Sequence, residues 1–256
     1  MNRQAQAAIL FLTGAALLHA GVTNLYLRYV KAGLQPLLLA SGAVLIVTAL
    51  ATVWYEWRSH KSGEAHEHGG EAHEHGGEAH DHGEGHVHRE PRISWLLVLP
   101  LLALILVAPP ALGSYSAMRT GTALQQPYGF NKLPASGPLD LNVVDYATRA
   151  VYDRGRHIAG RPISITGFVA LDRTGAPYLV RMALNCCAAD AQPVKIALTG
   201  TIPPVLQPDK WLQVTGTYTA RQTKDPVNNG PIPYFRVTAA TPVPTPKDPY
   251  DESWNN

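Results

Sequence analysis

The sequence predicts a membrane protein in two parts. The N-terminal part is α-helical with three membrane spans, and the C-terminal part is a small α+β or all-β domain, an antiparallel barrel of the oligonucleotide/oligosaccharide-binding (OB) type. Three observations support this prediction. Three apolar runs contain no Asp, Glu, Lys or Arg, a histidine-rich acidic tract separates the second run from the third, and short β-rich runs follow from about Gly137.

Each apolar run is long enough to cross a bilayer. The runs cover residues 4–27, 32–55 and 93–118, and a bilayer core of roughly 30 Å needs about 20 apolar helical residues. A short polar loop joins the first two runs, so residues 1–58 are predicted as a two-span hairpin and residues 93–115 as the third span. A cleaved secretory signal peptide is the alternative for the first run, because Arg3 precedes an apolar core with small residues near Ala20.

Lysine and arginine near the span ends predict the orientation, since cytoplasmic loops carry an excess of them. Five such residues fall on the side of the N-terminus and three on the other side: Arg3, Arg58, Lys61, Arg89 and Arg92 against Arg28, Lys31 and Arg119. The N-terminus and the histidine-rich linker are therefore predicted to be cytoplasmic. The C-terminal domain is predicted to be extracytoplasmic.

Residues 59–92 are predicted to be a disordered linker that binds metal. Nine of the eleven histidines lie between His60 and His88, and a unit of the form GEAHEHG or GEAHDHG occurs three times over residues 63–83. The linker carries eight carboxylates and three basic residues, which favours cations over nucleic acid. Neutral imidazole is the commonest protein ligand of first-row transition metals. The candidate ligands are His66, His68, His73, His75, His80, His82, His86 and His88. A pH-sensing tract and a simple spacer are the alternatives.

The C-terminal domain is predicted to span residues 137–244, after a connector at 116–136 and before an extended tail at 245–256. Asp140 is the expected N-cap of a helix that ends at Asp153. Five strands are expected at 162–171, 177–186, 193–200, 210–220 and 233–240. Gly167 and Gly216 lie inside strands, where glycine permits the sharp bends that close a barrel.

Two adjacent cysteines, Cys186 and Cys187, lie at the end of the second predicted strand in RMALNCCAADAQPVKI. Neighbouring side chains on a regular strand point to opposite faces, so both thiols can act together only where the strand ends or bulges. With Asp190 they would form a ligand set for zinc or copper. A strained vicinal disulfide, a thiol redox role and simple packing are the alternatives.

No enzyme motif occurs in the chain. The phosphate-binding GxxxxGK[ST], the zinc-protease HExxH and the hydrolase GxSxG patterns are all missing. Few aromatic residues accompany basic ones in the C-terminal domain, which argues against single-stranded nucleic acid as a partner. The sequence therefore favours a binding or accessory role over catalysis.

Four segments resemble the bacterial DUF1980 domain: ISITGFV (163–169), VRMALNCCAADAQPVKI (180–196), WLQVTGTY (211–218) and a final aromatic strand. Arg181, Cys186, Cys187, Ala189 and Asp190 are the most specific part. The arrangement of spans, histidine-rich linker, further span and this domain is similar to that of a family of bacterial membrane proteins. At Val194, after the proline that follows CCAADA, members commonly carry glycine. The resemblance implies no catalytic activity, and it implies an accessory protein encoded beside a multi-span permease and linked to zinc homeostasis.

The combined prediction is a multi-pass, non-enzymatic accessory protein of the cell membrane in a metal-handling permease system. Its expected partners are the lipid bilayer, a multi-span permease subunit and metal ions, with zinc or another divalent transition metal bound. Nucleic acid is not an expected partner. The alternative is a cysteine-dependent redox module, or a structural or interaction module, with no role in metal handling.

Overall fold

The computed structural model describes residues 3–63, a few separate positions between 99 and 107, and residues 110–251. The chain divides into two compact units. The helical unit comprises Met1–Val22 and Pro36–Pro109, and the barrel unit comprises Thr23–Gln35 and Pro110–Asn256. All eight candidate histidines of the linker, and most of the predicted third span, lie outside the described residues.

The helical unit contains two long apolar helices, α1 (Arg3–Val22) and α2 (Gln35–Gly63). Both are long and apolar enough to cross a membrane. Large apolar side chains of α2 are exposed, among them Leu37, Val44 and Leu50. Exposed apolar surface of this extent requires a lipid or protein surface to cover it.

Two glycines allow α1 and α2 to approach closely. A Cβ atom built on Gly14 would lie 2.8 Å from the carbonyl oxygen of Gly42, and one built on Gly42 would lie 3.0 Å from the carbonyl oxygen of Gly14. Small residues at such contacts let membrane helices pack backbone against backbone. The hairpin is therefore held at this level by van der Waals contact that larger residues would prevent.

The barrel unit contains a closed barrel of five strands. The strands are β2 (Ile163–Leu171), β3 (Pro177–Ala183), β4 (Gln192–Gly200), β5 (Trp211–Lys224) and β6 (Pro231–Val243). β2 pairs antiparallel with both β3 and β5, β3 pairs antiparallel with β4, and β5 pairs antiparallel with β6. A parallel pairing of β4 with β6 closes the cylinder. Closure removes the free strand edges that invite aggregation.

Both glycines that are predicted to bend strands lie at positions where a larger residue would not fit. The register of β5 against β6 shifts between Thr215 and Gly216, and a Cβ on Gly216 would lie only 2.0 Å from the carbonyl oxygen of Arg236. A Cβ on Gly167 would lie 2.8 Å from the carbonyl oxygen of Val180. Val194, in contrast, is fully buried in β4 opposite Arg181, so the strand runs through that position.

One short helix, α4 (Val143–Val151), packs its apolar face on the barrel core, where Tyr146 meets Phe235 edge to face. Its N-cap is Asn142, whose side chain accepts a hydrogen bond from the Asp145 amide at 2.6 Å. The predicted cap, Asp140, lies instead in a short strand, β1 (Leu139–Leu141), that pairs parallel with β2. The buried, exposed, buried pattern of β1 explains the difference, because it has the period of a strand.

Residues 125–136 of the predicted connector are largely exposed, but the segment before them, residues 114–124, is packed on the barrel. It contains the short helix α3 (Ser114–Arg119), and Ala117 is fully buried. Beyond it, a buried ion pair joins Lys195 of β4 to Asp225 at 2.7 Å. The Lys195 ammonium also donates to the Thr120 carbonyl, and Asp225 accepts from the Thr122 amide. Together these contacts fix the connector to β4 and to the turn that follows β5.

The C-terminal end of the described chain also belongs to the barrel unit. Strand β7 (Tyr250–Asp251) pairs parallel with β3 at Met182 and Ala183. The Arg181 guanidinium donates to the carbonyls of Asp248 and Tyr250 and lies over the Trp211 ring. Part of the predicted tail therefore pairs with the edge of β3 at its C-terminal end, shortly before the two cysteines.

Candidate metal centre

The two cysteines lie in the loop between β3 and β4, residues 184–191, which we call the cysteine loop. β3 ends at Ala183, and the amide of Leu184 donates to the carbonyl of Asp251 at 2.8 Å. The regular alternation of the strand therefore stops before Cys186. The end of the strand at this point allows the two neighbouring thiols to act together.

Asp190 closes the loop with its carboxylate. Oδ1 accepts from the amide of Asn185 at 3.0 Å, and Oδ2 accepts from the amides of Cys186 and Cys187 at 2.9 and 3.4 Å. The Asp190 amide returns a hydrogen bond to the Cys187 carbonyl at 3.0 Å. Three amides converging on one carboxylate turn the chain back on itself and bring the neighbouring side chains together.

The structure brings the sequence-predicted ligands Cys186, Cys187 and Asp190 into one cluster. The two sulfur atoms and a carboxylate oxygen all lie within 4.8 Å of one another. Two thiolates on tetrahedral zinc, at about 2.3 Å each, stand roughly 3.8 Å apart. The observed spacing reaches that value with small rotations of the side chains, so the three groups fit a divalent transition metal.

The cluster is accessible, and its Cys186 thiol keeps its proton at neutral pH. Cys186 is exposed and Cys187 is half-buried, and both are free thiols. Hydrogen bonds to Asp190 and to Cys187 raise the pKa of Cys186 to about 11. Burial alone would raise the pKa of Asp190, but hydrogen bonds from the Cys186 thiol and the loop amides hold it below its usual value. At neutral pH the cluster thus carries one carboxylate charge beside a neutral Cys186 thiol.

A second segment of the chain contacts the cysteine loop. Thr23–Gln35, which we call the inter-helix segment, joins α1 to α2 and belongs to the barrel unit. Its Lys31 amide donates to the Cys186 carbonyl at 3.1 Å, and its Tyr29 carbonyl accepts from the Ala188 amide at 2.7 Å. Val30 and Cys187 form an isolated antiparallel bridge between these bonds. Nothing in the sequence pattern predicts this contact, because it joins residues more than 150 positions apart.

No histidine joins the cluster within the described ranges 3–63 and 110–251. His157 follows α4, and its Nδ1 atom lies 2.6 Å from the Asp153 carboxylate. Any further ligand from histidine would come from outside these ranges or from a partner. The three identified groups leave a tetrahedral ion with one open position.

A separate cleft of about 860 Å³ opens on the barrel unit. Its lining includes the rings of Phe168 and Trp211 and the exposed basic side chains of Arg28 and Lys247. Its carboxylate, Asp209, already accepts a hydrogen bond from the Ser114 amide. Basic side chains repel cations, so this cleft is a poorer candidate for a metal than the cysteine loop.

The comparison with family models identifies the domain that carries this loop. Residues 125–251 match the model of the DUF1980 C-terminal domain. These residues are a DUF1980 C-terminal domain. The match includes α4, the five barrel strands, the cysteine loop and β7, and it confirms the resemblance of the C-terminal domain to DUF1980. A search of curated proteins found no match to the chain. The inter-helix segment and α3 lie outside the matched DUF1980 residues, although both belong to the same compact unit.

Proposed function

We propose that this chain is a non-enzymatic accessory subunit of a metal-handling membrane system, with zinc as the preferred ion. The observation that carries the proposal is the cluster of two thiols and a carboxylate within 4.8 Å on an accessible loop. Thiolate and carboxylate together suit a borderline-soft ion such as zinc. The histidine-rich linker, through His66–His68 and its repeats, adds a second and weaker metal-collecting segment.

The proposed partner is a multi-span permease. The exposed apolar side chains of α2 support a protein or lipid neighbour. The apolar runs contain no Asp, Glu, Lys or Arg, so three spans of this composition offer no charged path for an ion through the bilayer. In the proposed assembly, the permease forms the pore and this chain binds metal at the membrane surface.

The proposed topology has three spans, with the linker in the cytoplasm and the barrel outside. Hydrogen bonds between the inter-helix segment and the cysteine loop support the third span, because hydrogen-bonded segments lie on one side of a membrane. If α2 spans, its end at Gly63 lies on the opposite side. The chain must then cross once more before Pro110, and residues 93–109 belong to the apolar run able to do so.

The proposed barrel class is the OB type. Support comes from the order in which the strands pair around the cylinder, β2, β3, β4, β6, β5 and back to β2, with β4 and β6 parallel. A five-stranded Greek-key barrel of this kind binds ligands through its loops and exposed face. The cysteine loop joins two neighbouring barrel strands and is such a loop.

The alternative is a thiol redox function, and the pKa of Cys186 argues against it. The thiolate is the reactive form, and redox-active cysteines have a depressed pKa. Here the hydrogen bond to Asp190 raises the pKa of Cys186 to about 11, which disfavours the thiolate until a metal replaces the proton.

The test measures cadmium and zinc binding to the full chain in lipid nanodiscs, compared with a variant whose linker histidines are replaced by glutamine. Ultraviolet sulfur-to-cadmium charge transfer reports thiolate ligands alone. We expect one ion per chain at the cysteine loop in both proteins, and loss of the signal in Cys186→Ser and Cys187→Ser. Ala189→Ser, in the same loop, is the matched control and should retain it. An unmodified chain that shows no charge-transfer band would refute the proposal.

A further inference from the structure

We infer that docking of the inter-helix segment is coupled to metal binding at the cysteine loop. Metal bound to Cys186 and Cys187 holds the inter-helix segment against the barrel. This inference rests on the proposed metal site and deepens it. It assigns a regulatory role to Thr23–Gln35, most of which lies in neither a predicted strand nor a long helix.

Hydrogen bonds on both sides of Cys187 carry the inference. The Cys186 carbonyl accepts from the Lys31 amide at 3.1 Å, and the Ala188 amide donates to the Tyr29 carbonyl at 2.7 Å. Cys187 lies between them, opposite Val30. The backbone of the metal cluster is thus restrained by Asp190 from within the loop and by Tyr29 and Lys31 from the inter-helix segment.

The segment is anchored independently at a second point. The Tyr250 hydroxyl donates to the Arg28 carbonyl at 3.0 Å and accepts from the Leu112 amide at 3.2 Å. Tyr26 is buried, and its carbonyl accepts from the amides of Tyr29 and Val30 at 2.8 Å each. This turn places residues 29–31 where their backbone pairs with the cysteine loop.

Docking of the inter-helix segment affects metal binding because the two cysteine ligands are adjacent in sequence. Neighbouring side chains diverge on an extended chain, so both sulfur atoms reach one ion only in a restricted backbone conformation. A loop already held in that conformation binds with a smaller loss of conformational entropy. Coupling of this kind is reciprocal: if docking tightens metal binding, metal tightens docking by the same factor.

The inter-helix segment is covalently continuous with both long helices. The inter-helix segment begins at Thr23, directly after the last residue of α1, and ends at Gln35, the first residue of α2. A change in its docking therefore acts on the ends of both helices. The metal-loaded and metal-free proteins would present different hairpin ends to a neighbouring subunit.

A matched pair of substitutions at Lys31 tests the coupling. Lys31 has φ −54° and ψ 139°, a conformation that proline adopts, and the preceding Val30 lies in a β-bridge, which proline tolerates. Lys31→Pro therefore removes the amide that donates to Cys186 with little other change. Lys31→Ala removes the same side chain and charge but keeps the amide.

The measurement is cadmium affinity of the full chain in nanodiscs, with the linker histidines replaced by glutamine. We expect Lys31→Pro to bind about three- to tenfold more weakly, the effect of one hydrogen bond, and Lys31→Ala to bind like the unsubstituted chain. Tyr250→Phe, which loses only the hydroxyl at the second anchor, should weaken binding in the same direction. Cadmium should also slow hydrogen exchange at residues 29–31, and less so in Lys31→Pro.

The outcomes separate the two proposals. Normal cadmium binding in Lys31→Pro and Tyr250→Phe, with exchange at residues 29–31 indifferent to metal, overturns the coupling and leaves the metal site intact. A chain that binds no cadmium through thiolates overturns both. Equal weakening by Lys31→Pro and Lys31→Ala would assign the effect to the lost charge and also overturn the coupling.

Discussion

At the residue scale, Asp190 determines both the shape and the protonation of the cysteine loop. Its carboxylate accepts three backbone amides and the thiol of Cys186. We expect Asp190→Asn to lower the pKa of Cys186 from about 11 toward its ordinary value, because the negative hydrogen-bond acceptor is lost. Alkylation of the metal-free protein at about pH 9 should then be several times faster, since the thiolate is the reactive form.

Asp172 provides the control for that experiment. Its Oδ1 atom accepts from the amides of Thr174 and Ala176 in the turn between β2 and β3, away from any cysteine in sequence. Asp172→Asn should leave the alkylation profile unchanged. Equal profiles for Asp190→Asn and the unsubstituted protein would contradict the role assigned to the Asp190 charge.

The residue scale also shows how far the sequence predicts the site. Cys186, Cys187 and Asp190 are predictable because thiols and a carboxylate close in sequence after a strand are metal ligands by type. The contacts of Tyr29 and Lys31 are not predictable, because they use backbone atoms and carry no side-chain signature. The burial of Lys195 is also hidden, since a lysine in a strand ordinarily points to solvent.

At the scale of elements, the ion pair between Lys195 and Asp225 is the main anchor of the connector on the barrel. Both side chains are almost fully buried. Lys195→Ala would leave Asp225 buried without its counter-ion, and we expect the free energy of unfolding to fall by about 3–5 kcal/mol. Lys224→Ala, an exposed lysine at the end of β5, should change it by less than about 0.5 kcal/mol. Thermal and denaturant unfolding provide the comparison, and similar stabilities would contradict the anchor.

Gly216 tests the closure of the barrel. Because a Cβ there would meet the carbonyl oxygen of Arg236 at 2.0 Å, Gly216→Ala must displace β6 or the bend in β5. We expect a loss of about 1–3 kcal/mol in unfolding free energy, as overpacking usually costs. Gly129→Ala is the control, because nothing lies within 4 Å of a Cβ built at that position. A fully stable Gly216→Ala protein would show that the close approach is not required.

The strands themselves are well predicted because alternating apolar residues and turn residues specify them locally. The two added strands, β1 and β7, are not, because each has three residues or fewer and pairs with a distant partner. The packing of the connector on the barrel is not predicted either, because it also depends on distant residues. Ala117 is buried against the cluster that contains Phe168 and Trp211, far along the chain.

At the scale of the whole molecule, topology and metal collection are the properties to test. Fusions of alkaline phosphatase and of a fluorescent protein after Asn256, and within the linker, should report opposite sides of the membrane. We expect phosphatase activity from the C-terminal fusion and fluorescence from the linker fusion. The reverse pattern would show that the topology is inverted. Activity from phosphatase fusions at both sites would contradict the third span.

The linker should bind zinc in a modest, multivalent and pH-dependent way. Protons compete with metal for imidazole, so binding by a peptide of residues 59–92 should weaken sharply between about pH 7.5 and about pH 5.5. Cadmium charge transfer at the cysteine loop should persist after the linker histidines are replaced. Calorimetry that detects no zinc uptake by the peptide at about pH 7.5 would contradict metal binding by the linker.

Zinc-edge X-ray absorption on the full chain, with the linker histidines replaced by glutamine, tests the central claim most directly. The cysteine loop predicts about two sulfur neighbours at roughly 2.3 Å, with oxygen or nitrogen completing the shell at roughly 2.0–2.2 Å. Both sulfur neighbours should disappear in the double substitution of Cys186 and Cys187 by serine. A spectrum of oxygen and nitrogen neighbours alone, or a protein without stoichiometric zinc, would contradict the account.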